Sequence, residues 1–254
     1  MIYVSHLLED EEMRKICQKY ETGVEAIEFS IGENLTDPSA SLESYPKRWE
    51  YMEGKNLIFH GPFWDLSPTS YDSGIAKVSY KRYDTAFQAA KTMGIKKMIY
   101  HTCLMPDGYI LDDWIKRTVA FWREFLETHT GITICFENVL DRQIWPMAEV
   151  AKAVDHPQFG ICLDIGHAEA YSAIPAEDWA RELKPWINHL HVHDNFGDRD
   201  AHLALGEGRI DLKQVFDVLN IREEPLDITI ENTSLADVET SLHWLQEYLA
   251  QEEN

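Results

Sequence analysis

Short apolar runs recur along the chain, and six of them end on a histidine or a carboxylate. They occupy residues 57–60, 98–101, 134–137, 161–164, 189–193 and 228–231. Apolar runs of this length are typical of parallel strands that are buried on both faces. The polar residue that closes each run would lie at the carboxyl end of its strand. The pattern therefore predicts a parallel sheet with its reactive side chains collected along one edge.

Amphipathic stretches separate these runs and predict helices. The predicted strands are 2–5, 23–28, 56–60, 96–101, 132–137, 159–164, 187–193 and 226–231. The predicted helices are 8–20, 41–53, 75–93, 110–128, 142–154, 176–184, 211–219 and 235–250. Strict alternation of eight strands with eight helices predicts a (β/α)₈ TIM barrel of the α/β class.

The length of 254 residues suits a single-domain barrel, and the chain shows no linker or composition break. We therefore expect one domain over 1–254. A doubly wound sheet is the alternative, but it requires two of the strand predictions to be wrong. The chain also contains neither a G-x-G-x-x-G motif nor a P-loop to support that alternative.

Side-chain alternation along the strands predicts a polar barrel interior. Because successive side chains point to opposite faces, Glu137, Asp164 and Glu231 face inward while their apolar neighbours face the helices. The same alternation places a further set on the inward face: Cys135, Cys162, Thr229, His189, His191 and His193. Three buried carboxylates at one barrel mouth would repel each other strongly without a cation. A divalent metal site follows from this convergence, although a single strand-end histidine is more often structural.

Two loop segments add candidate donors. His167 follows Asp164 by three residues, a spacing that lets one turn aim both side chains at a common point. Asp200 and His202 are two residues apart, so both project the same way from an extended segment. Mixed histidine and carboxylate ligation favours Zn²⁺ or Mn²⁺ over Mg²⁺ alone.

The overall composition narrows the function classes. A net charge of −21 weighs against nucleic acid as a partner without excluding it, because such binding depends on Lys and Arg. The four cysteines include no C-x-x-C pair, so neither a disulfide framework nor a thiolate zinc site is indicated. The N-terminus does not resemble a secretory signal and no apolar stretch is long enough to span a membrane. We expect a cytoplasmic protein.

Five strings carry a family resemblance: His-Gly-Pro at 60–62, Cys-Phe-Glu-Asn at 135–138, Leu-Asp-Ile-Gly-His at 163–167, His-Val-His-Asp at 191–194 and His-Leu-Ala-Leu-Gly-Glu-Gly at 202–208. Over residues 56–232 the chain resembles the xylose isomerase-like TIM-barrel superfamily. That superfamily (AP endonuclease family 2) includes sugar isomerases and epimerases and the endonuclease IV type of apurinic/apyrimidinic endonuclease.

The resemblance implies specific roles. In the ketose epimerase branch, the matching residues Glu137, Asp164, His191 and Glu231 hold one metal, and the two glutamates form the acid/base pair. The endonuclease branch holds three zinc ions, and this chain has a candidate for each of its ligand positions. These candidates are His60, His101, Glu137, Asp164, His167, His191, Asp200, His202 and Glu231. The resemblance thus implies between one and three ions.

The chain departs from both branches at single positions. The epimerase branch typically has a substrate-contacting glutamate six positions after the first metal glutamate, where this chain has Gln143. The endonuclease branch usually has an uncharged amide where this chain has His193. Lys- and Arg-rich loops for gripping DNA are also missing from the sequence.

Substrate contacts are predicted from the loops. His167 would bind a sugar hydroxyl or stabilise an enediolate oxygen, and His60 is a further contact. Trp64, with Phe63 and Trp114, is a candidate apolar wall, although packing on the barrel rim explains these residues equally well. Arg199 and Arg209 are the candidate basic contacts.

The combined sequence features favour a metal-dependent sugar or sugar-phosphate isomerase or epimerase of carbohydrate metabolism. The first alternative is a multi-metal, zinc-dependent phosphodiesterase, and the second is a barrel that binds a sugar or metal without catalysis. A homodimer through the helix of Trp244 and Tyr248 is possible, although these residues would equally suit packing of the last helix on the barrel.

Overall fold

Eight parallel strands close into a barrel in which every strand pairs with its sequence neighbours and β8 pairs with β1. The computed structural model describes residues 1–49 and 56–251. The strands are β1 (Ile2–Ser5), β2 (Gly23–Ala26), β3 (Leu57–His60), β4 (Lys97–His101), β5 (Thr133–Glu137), β6 (Phe159–Asp164), β7 (Ile187–Val192) and β8 (Asp227–Ile230). The prediction of a (β/α)₈ barrel is confirmed.

Helices cover the outside of the barrel. They are α1 (Asp10–Tyr20), α2 (Ser39–Arg48), α3 (Ser73–Thr92), α4 (Leu111–Thr128), α5 (Trp145–Val154), α6 (Ile165–Tyr171), α7 (Ala176–Leu183), α8 (Leu212–Leu219) and α9 (Leu235–Ala250). Among the described residues, no helix combines the length and apolar character needed to cross a membrane. Residues 50–53 of the helix predicted at 41–53 lie outside the described residues.

The sequence pattern missed α6 and misplaced some strand ends. With only seven residues, α6 is too short to show a clear period of 3.6, and it begins directly after β6. β2 was predicted to reach residue 28, but it ends at Ala26 and a 3₁₀ turn covers Glu28–Ser30. β7 and β8 end at Val192 and Ile230, so His193 and Glu231 follow their strands directly.

A small apolar layer fills the barrel interior. It consists of Tyr3, Ile58, Ile99, Cys135 and Cys162, which form a buried cluster separate from the larger core between strands and helices. Cys135 and Cys162 therefore point inward, as the alternation predicts. The residues two positions further along each strand share that direction, so this layer is the floor beneath the polar mouth.

The aromatic helix α9 packs within the chain. The ring of Tyr248 is 2% exposed, lies parallel to Trp244, and its hydroxyl donates to Asp217. Trp244 contacts Phe216 of α8. These two aromatics therefore contribute to the outer core of the barrel, which was the second of the two interpretations of this helix.

A partly buried ion pair lies at the base of the barrel. Lys97 Nζ donates to Asp227 Oδ2 at 2.5 Å and to the Asn188 carbonyl at 3.0 Å, and the terminal amine of Met1 binds Asp227 Oδ1 at 3.0 Å. Lys97 is largely buried, with 14% of its side chain exposed. The pair fastens β4 to β8 across the barrel.

Replacing Lys97 by Met is expected to lower the free energy of unfolding by about 2 kcal/mol, because Asp227 Oδ2 and the partly buried Asn188 carbonyl lose the Lys97 donor. Urea unfolding measures the change. Lys19→Met is the matched control, since Lys19 pairs with Glu239 on the exposed surface and its loss should leave the urea midpoint nearly unchanged. Equal effects of the two substitutions would contradict the assigned role of Lys97.

Candidate metal centre

All nine predicted metal ligands converge on the carboxyl ends of the strands, and Glu137 lies at their centre. Its carboxylate oxygens lie 3.5 Å from Nε2 of His60, 3.5 Å from Nε2 of His101, and 3.3 Å from Nδ1 of His191. Strand register explains part of this convergence, because His101 pairs with Glu137 and Asp164 pairs with His191 in neighbouring strands. Closing the barrel brings the rest together.

Several neighbouring groups of donors could each hold an ion, since their ligand atoms lie within 4.8 Å of one another. They include His60, His101 and Glu137 (the first group), Glu137, Asp164 and His167 (the second group), and His167, His193, Asp200 and His202 (the third group). Shared residues link the groups into one continuous centre. Glu231 joins it through His191, whose Nδ1 lies 3.3 Å from Glu231 Oε1.

Unpartnered buried atoms support a bound cation. Within the described part of the chain, one carboxylate or imidazole atom has no hydrogen-bond partner in each of Glu137, Asp164, His191 and Asp200, and both ring nitrogens of His193 have none. Leaving such atoms unsatisfied in a buried site costs free energy, and a divalent ion satisfies several lone pairs at once. The residues present therefore fit a metal centre.

The histidines are oriented as metal ligands usually are. Nδ1 of His60 donates to the Gly61 carbonyl at 2.8 Å, and Nδ1 of His167 donates to the Asn138 carbonyl at 3.0 Å. Nδ1 of His202 donates to the Glu231 carbonyl. Each bond fixes one tautomer and leaves Nε2 with its lone pair toward the centre. Nε2 of His60 and Nε2 of His101 face each other at 3.2 Å, a geometry that suits a shared cation.

Glu25 is a functional candidate that sequence reasoning missed. It lies on β2 with no exposed surface, and its Oε2 accepts from Nε2 of His191 at 3.1 Å and from the hydroxyl of Thr229 at 2.6 Å. The bond to Glu25 keeps a proton on Nε2 of His191 and directs Nδ1 toward Glu137 and Glu231. The six apolar runs did not include β2, whose glutamate stands inside the strand.

The bond to Glu25 continues a chain that crosses the barrel. Because Lys97 Nζ can only donate, Nδ1 of His189 is the acceptor in their contact at 3.4 Å. Nε2 of His189 then donates to Thr229 at 2.8 Å, and Thr229 donates to Glu25. Burial, together with the charges of Lys97 and His191, holds the pKa of His189 well below its usual range, so its ring is neutral.

Two side chains lock the ends of β5 and β6. Asn138 donates to the Asp164 carbonyl at 2.8 Å and accepts from the Asp164 amide at 2.9 Å. Asp164 Oδ1 also caps α6 by accepting from the amide of His167 at 2.6 Å. The other oxygen, Oδ2, stays free for the centre. Asn138 and the start of α6 thus fix the direction of the Asp164 carboxylate.

Asp194 holds the long loop after β7. Its buried carboxylate accepts from the amides of Asn195, Gly206, Gly208 and Ile210 at 2.8 to 3.2 Å. No side chain fits at Gly208, since a Cβ there would lie 2.1 Å from Asp194 Oδ1. Because this segment carries Asp200 and His202, the hydrogen bonds of Asp194 hold both donors in position without a bound ligand.

His193 is a second candidate that was not among the predicted ligands. It is fully buried, its Nε2 lies 3.3 Å from Asp164 Oδ1 and 3.4 Å from Asp200 Oδ1, and its ring stacks on His202 at 4.0 Å. A Cβ on Gly166 would lie 2.0 Å from this ring, so the glycine at the start of α6 makes room for it.

The two glutamates have opposite electrostatic environments. Burial raises the pKa of Glu137, but the neighbouring His191 and His101 outweigh it and hold that pKa well below its usual range. Burial also raises the pKa of Glu231, and the carboxylates of Glu137 and Asp164 add to the increase against the opposing His191. Unlike pKa values in one site are typical of an acid/base pair.

Stability of the metal-free protein should fall as pH rises through about 9. Burial lowers the pKa of His202, but its hydrogen bond to Asp200 and the charge of Glu231 raise it from 6.5 to about 9. Since the folded-state pKa is the higher one, this stabilisation is complete below pH 6.5 and is lost as pH rises through about 9. Urea midpoints in chelator at pH 6.5 and pH 9 measure the loss.

The loss should shrink in His202→Asn and persist in His243→Gln, because His243 is an exposed histidine whose side chain is 73% accessible. A midpoint that stays constant or rises over this range in the unsubstituted protein would contradict the assigned role of His202.

The predicted substrate contacts lie in different settings. Trp64 is 69% exposed at the mouth, beside Phe63, whose ring is 4.5 Å from that of His101. Trp114 is fully buried and stacks on Phe136, so it does not form part of an apolar wall. Arg199 is exposed in the loop after β7. Arg209 binds Glu169 at 2.7 Å rather than a predicted metal ligand.

Comparison with known proteins places this barrel in a family. The model of the xylose isomerase-like TIM barrel family matches residues 17–248. The chain belongs to this family. It is also similar to the uncharacterised protein MJ1311 of Methanocaldococcus jannaschii, with 31% identity over 207 residues that cover 76% of this chain and 70% of that protein.

Solved structures of other proteins share the fold. A D-tagatose 3-epimerase-like protein is 26% identical, with a TM-score of 0.81 over 98% of this chain and 96% of that chain. The TTHB071 protein of Thermus thermophilus, soaked with ZnCl₂, is 22% identical, with a TM-score of 0.79 over 100% and 99%. The IolI protein with a bound zinc atom is 15% identical, with a TM-score of 0.76 over 98% of each chain.

Proposed function

We propose that this protein is a divalent-metal-dependent isomerase or epimerase that moves a proton at a carbon next to a sugar carbonyl. The observation that carries the proposal is the pair Glu137 and Glu231. Both carboxylates lie 3.3 Å from the same atom, Nδ1 of His191, and their pKa values are displaced in opposite directions. The similarity to the D-tagatose 3-epimerase-like protein supports this choice among the reactions that one barrel can host.

The donor set would hold the ion through Glu137, Asp164, His191 and Glu231. When bound, a divalent metal supplies Lewis acidity that polarises the carbonyl and acidifies the neighbouring C–H bond. Histidine with carboxylate ligation favours Zn²⁺ or Mn²⁺. His60, His101, Asp200 and His202 would allow one or two further ions.

The residues themselves perform the proton transfers. One glutamate carboxylate of the pair accepts the proton from carbon, and the other carboxyl group returns a proton to carbon. The low pKa of Glu137 keeps its carboxylate ionised and able to accept a proton, and the raised pKa of Glu231 allows it to carry the proton that is returned. His167, with Nδ1 held by the Asn138 carbonyl, would accept a hydrogen bond from a sugar hydroxyl through Nε2.

Solvent exchange tests the reaction. In D₂O with added Zn²⁺ or Mn²⁺, a panel of ketoses should gain deuterium at the carbon next to the carbonyl, as read by NMR. The Glu231→Gln variant should bind the panel while losing exchange by about 10²-fold or more. Absence of exchange with every ketose, in protein whose metal content has been verified, would exclude an isomerase for that panel.

A metal-dependent phosphodiesterase is the second candidate, and one observation favours it. The first and third donor groups lie on either side of the second and share Glu137 and His167 with it, as a centre with several ions requires. Incision of a duplex that contains an abasic site, abolished by His60→Ala and by His202→Ala, would favour this candidate over the isomerase.

A further inference from the structure

A cavity of about 830 Å³ opens beside the metal centre, between the loops that follow β3 and β4. His101 belongs to both, since it lines the cavity and lies 3.5 Å from Glu137. Phe63 lies at the boundary between the cavity and the donor groups. Its ring centroid is 4.5 Å from that of His101 and 5.1 Å from that of His60. A molecule bound at the centre can therefore extend directly into the cavity.

The cavity walls are mostly apolar. Aromatic and aliphatic side chains make up most of the lining, among them Trp64, Leu66, Tyr71, Ile75, Met105 and Leu140. Trp64, Met105 and Tyr71 are 69%, 63% and 51% exposed. Large apolar side chains gathered at one exposed place mark a binding surface. A concave space of this size is within the range that holds a drug-sized ligand.

The charges around the cavity oppose an anionic ligand. Asp65 and Asp72 line it, whereas no lysine or arginine of the described chain does. Two nearby arginines have carboxylate partners. Arg117, whose guanidinium lies 4.6 Å from the ring centroid of Tyr71, binds Asp113 at 2.9 Å, and Arg142 binds Asp107 at 3.0 Å. A phosphate placed here would meet the carboxylates of Asp65 and Asp72, and no lysine or arginine in the lining would offset them.

We propose that the cavity is a substrate subsite for an uncharged aromatic or alkyl group carried by the sugar. The substrate class is thus a hydrophobic sugar conjugate rather than a sugar phosphate. The inference rests on the proposed function for the part of the substrate that carries the sugar. The binding of the apolar group is argued from the cavity alone, so an experiment can contradict one proposal without contradicting the other.

Binding of matched ligands tests the subsite. The probes are 6-O-phenyl-D-tagatose, 6-O-methyl-D-tagatose and D-tagatose 6-phosphate, all of which keep the ketone free. Calorimetry with Mn²⁺-loaded protein should show the phenyl ether binding about ten-fold tighter than the methyl ether, because the ring buries apolar surface. The phosphate should bind most weakly. Equal affinity of the two ethers, or tightest binding of the phosphate, would overturn the proposal.

Two variants locate the effect. Trp64→Ala should remove the advantage of the phenyl ether, since Trp64 lines the cavity. Phe196→Ala should retain it, because Phe196 is a comparably exposed aromatic (57%) on the loop after β7 and outside the cavity lining. Loss of the advantage in both variants would show that the cavity does not bind the phenyl group.

A probe without a sugar separates this proposal from the proposed function. Benzyl alcohol should shift the NMR signals of the Met105 and Ile75 methyl groups, with or without metal. If neither signal moves, the subsite is wrong even where ketoses exchange deuterium. If the signals move and no ketose exchanges, the proposed function fails and the subsite stands. A dimer by sedimentation that Trp64→Ala converts to monomer would overturn the subsite, because a second copy would then cover the cavity.

Discussion

Glu137→Gln is expected to have the largest effect of any single substitution in this protein. The amide keeps the shape of the side chain but removes the charge that the first and second donor groups share. We expect proton exchange at carbon to fall by about 10³-fold, because an amide cannot act as a general base and holds a metal poorly. Metal content after dialysis, measured by mass spectrometry, should fall at the same time.

The control for Glu137→Gln is Glu28→Gln. Glu28 is a partly buried glutamate outside the donor groups, and it binds Arg48 and Ser41 at the α2 side of the barrel. That substitution should leave both metal content and exchange within about two-fold of the unsubstituted protein. Full metal content in Glu137→Gln would show that Glu137 is not a shared ligand, whatever happens to the rate.

The second large effect is expected at Glu25, which holds His191 through its Oε2 and belongs to the candidate donor group of Glu25, His191 and Glu231. Replacing Glu25 by Gln removes the charge that accepts from Nε2 of His191 and from Thr229. The affinity for Zn²⁺ should fall by roughly 10- to 100-fold, as is usual when the partner of a ligating histidine is lost. Competition with a chromophoric chelator measures the affinity.

A spectroscopic readout separates positioning from general destabilisation. In the zinc-bound protein, the ¹⁵N chemical shift of Nε2 in His191 should report a proton that is hydrogen-bonded to a carboxylate. In Glu25→Gln this shift should change, because the acceptor becomes a neutral amide oxygen. Thr229→Ser keeps the hydroxyl and should preserve both the shift and the affinity, whereas Thr229→Val should lower the affinity. Unchanged ¹⁵N shifts in Glu25→Gln would contradict the positioning role.

The strand-end donors could be predicted because two simple regularities coincide at them. A buried parallel strand needs an apolar run, and alternation then decides which side chains point inward, so Glu137, Asp164 and Glu231 follow from local sequence. Cys135 and Cys162 in the interior layer confirm the alternation. The placement of every ligand within one centre then depends on barrel closure, which the count of eight units predicted.

The rest could not be predicted because it depends on contacts between distant segments. Glu25 lies 166 residues from the histidine that it binds, and nothing in the local pattern of β2 marks it as paired. In the sequence Asp194 looks like an ordinary loop aspartate, yet its carboxylate accepts hydrogen bonds from four backbone amides. The opposite pKa displacements of Glu137 and Glu231 arise from which charges surround each group, and such neighbourhoods are a property of the folded chain.

The hydrogen-bonded chain from Lys97 to His191 has a consequence for how substitutions combine. In TIM barrels the base of the barrel commonly supports stability while the opposite face carries activity, so changes at the two ends are usually independent. Here His189, Thr229 and Glu25 join the ends without a break. The free-energy changes of Lys97→Met and Glu25→Gln should therefore be non-additive, and a substitution that stabilises the base should also alter the donor groups at the opposite end of the barrel.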